Sequence, residues 1–423
     1  MPRFLYTLLL YIALPFVPLK LLWRGIKQPA YRQHWRERFG GYTQKATKPV
    51  IWLHCVSVGE THAAAPLVHA LKKTYPQHQI LLTHTTPTGR AASEQLFGDT
   101  VQRVYLPYDV PFAVRRFLTH FTPSLGLLME TELWFNLMAA CKQDDVPLLL
   151  LNARLSEKSA HGYAKLGKLM TKGLASLHAI AAQSEADATR LRTLGGHNVT
   201  VTGNLKFDVT PPADTRKKGA ALRQLFGGAQ SNPQLKPRPV FLAASTREGE
   251  EALVLEAVRD LDVLTVIVPR HPQRFNAVAT LLAEQSFDFV RRSTLTTPIA
   301  KEVQVVLGDS MGELFSYYAA CDFTFVGGSL LNFGGQNIIE PATMGKPILI
   351  GPHTFNFAEA SANAIASGAA NQVSNVAELR QQIEALLQDT AKRYSMSKAA
   401  IKFSQSSTGA TAKMMALINT TMH

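Results

Sequence analysis

Apolar runs and amphipathic stretches alternate along most of the chain. Short runs of buried-type residues, such as IWLHCV at 51–56 and VFLAAS at 240–245, are separated by segments with helical periodicity. This alternation predicts an α/β fold with parallel sheets. The strands expected in the first half are 50–56, 79–84, 103–106, 124–129, 147–152, 179–182 and 199–202. Those expected in the second half are 240–244, 263–268, 287–291, 303–307, 323–326 and 348–350, with helices beyond residue 378.

The alternation is interrupted between residues 208 and 239. This segment contains Pro211, Pro212, Pro233, Pro237 and Pro239 around a short basic amphipathic stretch. We predict a linker at 209–239 between a first domain at 23–208 and a second domain at 240–423. Both domains open with a buried strand, a polar turn, Gly-Glu and a helix, which indicates two Rossmann-like domains facing a central cleft. One long Rossmann domain with a helical cap is the alternative, and the proline-rich break argues against it.

The first 22 residues predict a membrane anchor. No charged side chain occurs between Phe4 and Leu19, and Pro15 and Pro18 should disturb the second half of a spanning helix. No small-residue cleavage site follows, as a signal peptide would require. A basic collar follows instead, made of Lys20, Arg24, Lys27, Arg32, Arg36, Arg38, Lys45 and Lys48. The pattern favours an anchor in the cytoplasmic leaflet, with cations toward anionic lipid headgroups; a buried first helix of a soluble domain is the alternative.

Composition and charge narrow the class of partner. The 423 residues include 44 Lys and Arg against 31 Asp and Glu, which gives a formal charge of +13. This excess indicates an anionic partner: nucleic acid, a membrane surface or a phosphorylated substrate. Because the charge concentrates in the collar, and the predicted sheets contain no stripe of aromatic residues interleaved with Lys and Arg, we expect no nucleic-acid partner. The distant cysteines Cys55, Cys141 and Cys321 predict neither a disulfide framework nor a zinc site.

Polar side chains follow three predicted strands of the first half. Glu60 ends the turn SVGE at 57–60 and begins a helix, where it fits a general base or, alternatively, a simple partner for the helix dipole. Glu130 and Glu132 follow another strand; both should face the same side if the strand continues, but only one if the chain turns. Lys206 in TGNLKFD is placed to neutralise a departing phosphate, although a surface lysine beside a linker is the alternative.

Three segments of the second half have features of anion sites. Arg270 follows a buried strand in VIVPRHPQRF, a favourable position for anion contacts. The turn at 309–313 precedes a helix whose free amides can hold a phosphate. A loop with two glycine pairs leads to a short helix starting near Asn337, and Glu340 there can accept from ribose hydroxyls. An ordinary tight loop with a solvated glutamate is the alternative.

Metal and nucleophile motifs are missing from the sequence. No GxSxG elbow, HExxH motif, P-loop lysine or EF-hand loop occurs, and the 13 histidines are scattered. Asp260 and Asp262 have a spacing that metal-dependent sugar enzymes use, but they precede a strand, so we interpret them as solvated turn residues. We therefore expect neither a metal site nor a cofactor.

The ordered motifs resemble those of one known family. The apolar N-terminus is followed by RERFG, SVGE, METELW, LNARLSEKSAHGY, TGNLKFD, ASTREGEE, PRHPQRF, GDSMGEL and GGQNIIEP. This series resembles the bacterial 3-deoxy-D-manno-oct-2-ulosonic acid (Kdo) transferases of glycosyltransferase family 30, as far as about residue 357. The resemblance implies the two-domain GT-B architecture. It also implies transfer of Kdo from CMP-Kdo to a lipid A precursor, lipid IVA, at the cytoplasmic face of the inner membrane in lipopolysaccharide inner-core synthesis.

The resemblance also implies roles for individual residues. Glu60 would be the general base, and Glu130 and Lys206 would stabilise the transition state. CMP would contact Pro269, Arg270, Asp309, Ser310, Met311, Gly312, Glu313, Gly335, Gln336, Asn337 and Glu340. The positions that depart from the family pattern are Cys55, Arg247, Gln273 and Gln336. Gln336 matters most, because a side-chain contact from it would differ, whereas contacts through backbone amides would survive.

The expected chemistry is an inverting transfer that needs no metal. Loss of CMP leaves positive charge on an anomeric carbon that carries a carboxylate, so the transition state resembles an oxocarbenium ion. Fixed cations at the phosphate stabilise the leaving group, and the acceptor alcohol needs a base on the opposite face. A GT-B nucleotide-sugar epimerase or hydrolase without a lipid acceptor is the alternative enzyme class. Membrane lipids would be partners of the anchor and the collar.

Overall fold

A computed structural model describes residues 1–228 and 238–422 of the chain. It divides into two compact units. The first unit comprises Met1–Asp208 and Ser407–His423, and the second comprises Val209–Ser406. Residues 229–237 of the predicted linker lie outside the described residues.

The first unit is built on a parallel sheet of seven strands in the order β3-β2-β1-β4-β5-β6-β7. The strands are β1 (Val50–His54), β2 (Gln79–His84), β3 (Gln102–Tyr105), β4 (Pro123–Met129), β5 (Leu148–Ala153), β6 (Ala179–Ala182) and β7 (Val199–Val201). β1 pairs with β2 on one side and β4 on the other, so the direction of winding reverses between β1 and β4. Ligands of such sheets bind outside the carboxyl ends of the strands at this switch point.

Helices connect the strands of the first unit. They are α1 (Arg3–Ala13), α2 (Val17–Lys27), α3 (Val58–Thr74), α4 (Pro87–Phe97), α5 (Pro111–Phe121), α6 (Phe135–Gln143), α7 (Glu157–Ala164), α8 (Lys168–Leu174) and α9 (Glu185–Thr193). Short 3₁₀ turns lie between them, including Leu205–Phe207 after β7.

The second unit repeats this plan. Its parallel sheet has seven strands in the order β10-β11-β9-β8-β12-β13-β14, with the switch point between β8 and β12. The strands are β8 (Val240–Thr246), β9 (Leu264–Pro269), β10 (Phe289–Arg291), β11 (Val305–Leu307), β12 (Phe323–Val326), β13 (Ile348–Ile350) and β14 (Ala370–Gln372). The helices are α10 (Thr215–Arg223), α11 (Glu250–Val258), α12 (Phe275–Glu284), α13 (Leu314–Ala320), α14 (Ile339–Thr343), α15 (Ala358–Ala366), α16 (Val376–Gln388) and α17 (Thr390–Ser407).

Both sheets are buried on both faces, which explains their continuous apolar strands. In β1, Trp52 packs in one apolar cluster while Ile51 and Leu53 pack in another on the opposite face. In β8, Phe241 and Leu242 likewise belong to separate clusters. Parallel strands covered by helices on both sides need apolar residues at every position. The predicted α/β class with two Rossmann-like folds is confirmed.

The N-terminal segment is helical throughout. A 3₁₀ turn at Leu14–Phe16 accommodates Pro15, and α2 begins with Pro18 in its first turn, so the prolines bend the segment without ending it. Arg3–Ile26 is long and apolar enough to cross a membrane, by length and composition alone. The alternative of a buried first helix is wrong, because α1 contains no buried residue.

Polar contacts attach one face of α1 to the first unit. The Met1 ammonium donates to the Leu166 carbonyl at 2.6 Å. The Tyr6 hydroxyl donates to Asp109 Oδ2 at 2.8 Å, and Thr7 donates to Asn136 Oδ1 at 2.9 Å. The other face of α1, together with the 3₁₀ turn and α2 that follow it, presents large apolar side chains that are between about half and three-quarters exposed: Phe4, Leu9, Ile12, Phe16, Leu19, Trp23 and Ile26.

One residue of the predicted basic collar does not face solvent. Arg38 is 4% exposed, its guanidinium carbon lies 3.9 Å from the centre of the Tyr105 ring, and Nη1 donates to the Thr85 carbonyl. Arg38 therefore belongs to the core of the first unit, and its cation is unavailable to a lipid headgroup.

The end of the chain returns to the first unit as α18 (Ala410–Met422). Its apolar residues Ala410, Met414, Met415 and Ile418 pack in the cluster that contains Leu67 and Leu71 of α3. The Asp208 carboxylate accepts from the amides of Gly409 and Thr411, so the points where the chain leaves and re-enters the unit adjoin. The structure thus corrects the assignment of all of 240–423 to the second domain.

Two further elements differ from the sequence prediction. α10 lies inside the predicted linker, yet it belongs to the second unit, where Leu222 and the following Phe226 pack under β8. The amphipathic stretch there is a structural helix, because its apolar side chains have a core to enter. β14 was not predicted, since the run Ala370–Gln372 is short and two of its three residues are polar.

Candidate active site

Glu60 lies at the switch point of the first sheet, in the first turn of α3 after β1. Its Oε2 accepts from the Val56 amide at 2.8 Å, and its Oε1 accepts from Ser57 Oγ at 2.9 Å. Ser57 Oγ accepts in turn from the Glu60 amide at 3.3 Å, which makes a variant of the capping box in which the glutamate reaches the amide one residue before the N-cap. Each carboxylate oxygen therefore has one donor and keeps acceptor capacity. Glu60 caps the helix and can still accept a proton.

Glu130 adjoins the same switch point, after β4. The strand ends at Met129 and the chain turns, with Glu130 at φ +57°. This left-handed conformation is unfavourable for a residue other than glycine and is often found at functional sites. The hydrogen bond from the Glu130 amide to the Leu151 carbonyl, at 2.9 Å, holds the backbone there.

Lys206 is brought to Glu130 by the 3₁₀ turn after β7. Its ammonium lies 3.4 Å from Glu130 Oε1. The turn is fixed by two asparagines: Asn204 Oδ1 accepts from the Lys206 amide, and Asn152 Oδ1 accepts from the Leu205 amide, each at 2.9 Å. The predicted trio of Glu60, Glu130 and Lys206 is thus drawn from distant parts of the sequence to one edge of one sheet.

Burial and neighbouring charges together set the pKa of the Glu60 carboxyl. Burial raises the pKa of its carboxyl, and the two hydrogen bonds oppose that rise. The negative charge of Glu130 raises the pKa further, while the positive charge of Lys206 lowers it. A carboxylate that burial makes more basic is suited to accept a proton from an alcohol.

Glu132 joins this group, although the chain turns before it. Burial, followed by the charges of Glu60 and Glu130, raises the pKa of Glu132 to about 7. Both METELW carboxylates thus lie close enough to Glu60 for charge to act between them, although the chain turns at Glu130. Glu132 Oε2 lies 4.0 Å from Nε2 of His54, a fully buried residue whose pKa burial lowers to about 3. The neutral imidazole forms no ion pair with Glu132.

The second unit places Arg270 at the carboxyl end of β9, beside the end of β8. The Arg270 amide donates to the Thr246 carbonyl at 3.0 Å, and Thr246 pairs in register with Pro269. The Arg270 side chain is exposed and its charge lowers the pKa of Glu340, a carboxyl whose pKa burial raises to about 7. Arg270 and Glu340, which come from separate motifs, are thereby brought into one neighbourhood.

The turn at 309–313 offers fewer free groups than the sequence indicates. Asp309 is occupied, since it accepts from the Ser293 amide at 2.8 Å and from Ser293 Oγ at 2.7 Å. Glu313 pairs with Arg292 at 2.9 Å, and Ser310 Oγ lies 2.8 Å from the Tyr317 hydroxyl. Met311 is 64% exposed and Gly312 has φ +77°. The groups left for a ligand are the backbone of the turn and Met311.

The glycine-rich loop uses its own amides. Gly335 donates to the Gly328 carbonyl at 2.6 Å, and Gln336 donates to the Gly327 carbonyl at 3.0 Å. These two amides are therefore already paired within the loop. Asn337 Oδ1 accepts from the Ile339 amide at the start of α14, two residues later than predicted, and Asn337 Nδ2 donates to Glu340 at 3.3 Å. Among the polar groups of this loop that were predicted to contact CMP, the side chain of Gln336 and the carboxyl of Glu340 are still available to a ligand.

Metal ligands do not cluster in the described residues 1–228 and 238–422. Within them, no group of three or more His, Cys, Asp and Glu side chains could hold an ion. The three cysteines are buried and unpaired. Asp262, which the sequence suggested is a solvated turn residue, has a side chain that is 98% exposed.

Three residues that support the predicted trio of Glu60, Glu130 and Lys206 are not among the candidate site residues predicted from the sequence. Asn152, at φ +53° and fully buried, and Asn204 hold the Lys206 turn, and His54 lies behind Glu132. The available signal was Asn152 near the end of a buried apolar strand, because asparagine tolerates left-handed backbone and its side chain pairs with nearby amides.

Known proteins share this sequence and fold. The family model described as 3-Deoxy-D-manno-octulosonic-acid transferase (kdotransferase) matches residues 33–209. A 3-deoxy-D-manno-octulosonic acid transferase of Bordetella pertussis is 40% identical, over 98% of each chain. One of Haemophilus influenzae is 38% identical, also over 98% of each chain.

A solved structure extends the similarity of fold. The UDP-GlcNAc 2-epimerase of Neisseria meningitidis, bound to UDP-GlcNAc, has a TM-score of 0.56 at 16% identity and covers 88% of this chain and 100% of its own. At that identity the similarity concerns the fold alone, and together with the two seven-stranded sheets it confirms the predicted GT-B type. On the identity to full-length relatives, the chain belongs to the 3-deoxy-D-manno-octulosonic acid transferase family.

Proposed function

We propose that this protein transfers Kdo from CMP-Kdo to a lipid A precursor. The observation that carries the proposal is the group at the switch point of the first unit: Glu60 with acceptor capacity left, and the Glu130–Lys206 pair beside it. Membership of the transferase family supplies the substrate class. The alternative of an epimerase or hydrolase without a lipid acceptor shares only the fold.

Glu60 is the general base in this proposal. Its carboxylate takes the proton from the acceptor hydroxyl while the oxygen forms a bond to the anomeric carbon of Kdo and the bond to the CMP phosphate breaks. Attack on the face opposite the leaving group inverts the configuration. The capping box holds the carboxylate in one orientation, which keeps the base positioned before the acceptor arrives.

Glu130 and Lys206 are the proposed electrostatic partners. The Lys206 cation opposes the build-up of negative charge near the reacting atoms, and Glu130 holds the ammonium in place at 3.4 Å. The unfavourable backbone conformation of Glu130 supports a functional role, because burial alone does not require an acidic residue at that position.

The second unit is the proposed binding site for CMP. Arg270 supplies a cation for the phosphate, and Glu340 supplies an acceptor for ribose hydroxyls. The remaining contacts proposed from the family resemblance are Pro269, Asp309, Ser310, Met311, Gly312, Glu313, Gly335, Gln336 and Asn337. Of these residues, Asp309 and Glu313 are held by Ser293 and Arg292. We therefore propose that they shape the turn and that the other residues contact CMP.

The transfer is proposed to take place at the cytoplasmic face of the inner membrane. The exposed apolar face of α1 and α2 is suited to enter the lipid, while Met1, Tyr6 and Thr7 attach the opposite face to the first unit. An amphipathic segment attached along one side lies in the interface instead of crossing the bilayer. The acceptor is itself an anionic lipid, so the anchor brings enzyme and acceptor to one surface.

Mass spectrometry of the product tests the activity. Full-length protein is incubated with CMP-Kdo and a tetra-acylated, bis-phosphorylated glucosamine disaccharide, and the acceptor should gain the mass of one or more Kdo residues. Parallel samples without acceptor should consume CMP-Kdo slowly. Rapid consumption without acceptor, together with no mass gain, would instead assign the chain to the hydrolase or epimerase class.

Liposome flotation tests the anchor. Replacing Phe4, Ile12 and Phe16 by serine keeps Tyr6 and Thr7 and should move the protein from the floating to the soluble fraction. Tyr394→Ser, which removes an aromatic residue that is 63% exposed in the second unit, is the matched control and should still float. Full flotation of the triple variant would mean that another surface binds the membrane.

A further inference from the structure

The second unit presents an arginine that the proposed CMP contacts do not use. Arg247 is the first residue after β8, at the switch point between β8 and β12. Its amide donates to Glu250 Oε2 at 2.8 Å, and its carbonyl accepts from the Glu250 amide at 3.0 Å. These reciprocal bonds close the turn, so the backbone that carries the Arg247 side chain is fixed.

The Arg247 side chain lies along the glycine-rich loop. Its guanidinium carbon is 4.6 Å from the centre of the Phe333 ring. At Gly328, which has φ +70°, an added Cβ would lie 3.4 Å from Arg247 Cγ and 3.0 Å from Gln336 Nε2. Gly328 thus leaves room for both side chains to lie against the loop. The guanidinium stacks on an aromatic ring, which orients its N–H groups without neutralising its charge.

Arg247 and Arg270 are neighbours across two strands. Thr246 and Pro269 pair in register, and the Thr246 carbonyl accepts from the Arg270 amide at 3.0 Å. The two arginines therefore follow paired residues on adjacent parallel strands, which are separated by about 4.8 Å. The carboxyl ends of the two strands therefore place the two residues side by side.

These two cations differ from the third arginine of the region. Arg274 pairs with Glu251 at 2.9 Å and lies 3.8 Å from Glu248, so its charge is compensated. Within the described part of the chain, neither Arg247 nor Arg270 has a carboxylate within 4.0 Å. His271 lies close enough to these arginines that, after burial, their positive charges lower its pKa. The switch point of the second unit thus holds two uncompensated cations side by side.

We infer that Arg247 binds the carboxylate of the activated sugar acid while Arg270 binds its phosphate, an inference that rests on the proposed function. In a CMP-linked 2-keto sugar acid, the anomeric carbon bears both the carboxylate and the phosphate oxygen. The two anions are therefore only a few bonds apart and require two adjacent cations. A neutral nucleotide sugar would leave Arg247 without an anion, so this residue selects for acidic sugars.

A purely structural role for Arg247 would be to hold Phe333 in place. Arg259 provides the matched control, because its guanidinium carbon lies 5.0 Å from the Phe287 ring elsewhere in the second unit. Arg259→Gln removes an arginine–phenylalanine stack of the same kind without touching the carboxyl ends of the strands.

Steady-state kinetics of the full-length protein test the inference, with CMP-Kdo as donor and CMP as inhibitor. CMP has the phosphate but lacks the sugar carboxylate. Arg247→Gln should raise KM for CMP-Kdo by about 10- to 100-fold and change Ki for CMP by less than about twofold. Arg270→Gln should raise both KM for CMP-Kdo and Ki for CMP, whereas Arg259→Gln should change neither constant. Arg247→Lys should keep KM for CMP-Kdo below that of Arg247→Gln, because it retains a positive charge.

The outcomes separate the inference from the function on which it rests. Equal losses for CMP-Kdo and CMP in Arg247→Gln, or no loss for either, would overturn the carboxylate assignment while leaving the transferase activity standing. Wild-type protein that neither consumes CMP-Kdo nor binds CMP would instead refute the proposed function. Melting curves of each variant identify any loss that comes from unfolding.

Discussion

Both units carry Gly-Glu in the turn after the first strand of their sheet, and they use this glutamate differently. In the first unit, SVGE at 57–60 places Glu60 with one hydrogen-bond donor on each carboxylate oxygen. In the second unit, REGE at 247–250 places Glu250 in complete burial. Glu250 Oε2 accepts from the amides of Arg247 and Gly328, and Oε1 accepts from those of Ser329 and Leu330, at 2.6–3.0 Å.

The two glutamates differ in the hydrogen-bond acceptor capacity that their carboxylates have left, and this difference separates a structural carboxylate from the one that we propose as a base. Four amides occupy Glu250, which therefore joins the β8–α11 turn to the loop after β12 and has no capacity left for a substrate proton. Glu60 has half as many donors and lies next to Glu130 and Lys206. The same Gly-Glu turn thus leaves acceptor capacity on the glutamate of one unit and uses the glutamate of the other to hold a loop.

The largest effect is expected from Glu60→Gln. Glutamine can still accept from the Val56 amide and interact with Ser57, so the capping box and the melting temperature should persist. Without a base, the transfer rate should fall by about 10³-fold or more, while CMP still binds. Rates come from product mass spectrometry, and CMP affinity comes from calorimetry. Near-normal turnover in this variant would remove Glu60 from the mechanism.

Glu250→Gln should lower the stability of the fold, which Glu60→Gln should leave unchanged. The amide group of glutamine would replace an oxygen that accepts from two buried amides, so those donors lose their partner. We expect the free energy of unfolding to fall by about 2–4 kcal/mol. Urea unfolding measures it, with Glu60→Gln as the matched control. If Glu250→Gln were as stable as wild type, the contrast between the two turns would fail.

The pH dependence of kcat/KM tests whether Lys206 and Glu130 act on the pKa of Glu60 in opposite directions. Lys206→Met removes a positive charge that lowers the pKa of Glu60, so the acid limb of kcat/KM should move to higher pH. Glu130→Gln removes a negative charge that raises this pKa, so the limb should move to lower pH. Shifts of about half a unit or more are expected, together with slower transfer. Shifts of the same sign in both variants would contradict an electrostatic link to Glu60.

The smallest expected effect is a change in the pH dependence of stability on replacing Glu132, the third carboxylate beside Glu60. Its pKa of about 7 lies above the ordinary value of 4.5, so between these values the folded protein holds a proton that the unfolded chain has lost. Stability contributed by the protonated form is therefore lost as pH rises toward 7 and beyond. Glu132→Gln cannot ionise, and relative to wild type it should gain on the order of 1 kcal/mol between pH 5 and pH 8. Urea unfolding at both pH values measures this gain, and an equal difference at the two pH values would refute it.

Local pattern predicts the fold well, because strands buried on both faces must be apolar throughout. Thirteen strand segments were expected, and each coincides with or overlaps a strand of the structure. The C-terminal helix was assigned to the wrong unit because its partner, α3, lies more than 300 residues earlier in the sequence. No local periodicity records which sheet such a helix will cover.

The candidate site was only partly predictable. The positions of Glu60, Glu130 and Lys206 after strands followed from the alternation, and their roles followed from the family resemblance. The approach of Glu132 depends on a left-handed turn at Glu130, and the pairing of the Gly335 and Gln336 amides depends on how the loop folds back. Both are consequences of tertiary structure that residue type does not encode.

The position of α18 also bears on the order in which the chain matures. Because the ribosome releases the N-terminus first, every residue of the second unit is synthesised before the helix that covers α3. The core around α3, the helix that carries Glu60, thus stays incomplete until α18 has been synthesised. The base that we propose would therefore be fully supported only after the second unit has left the ribosome.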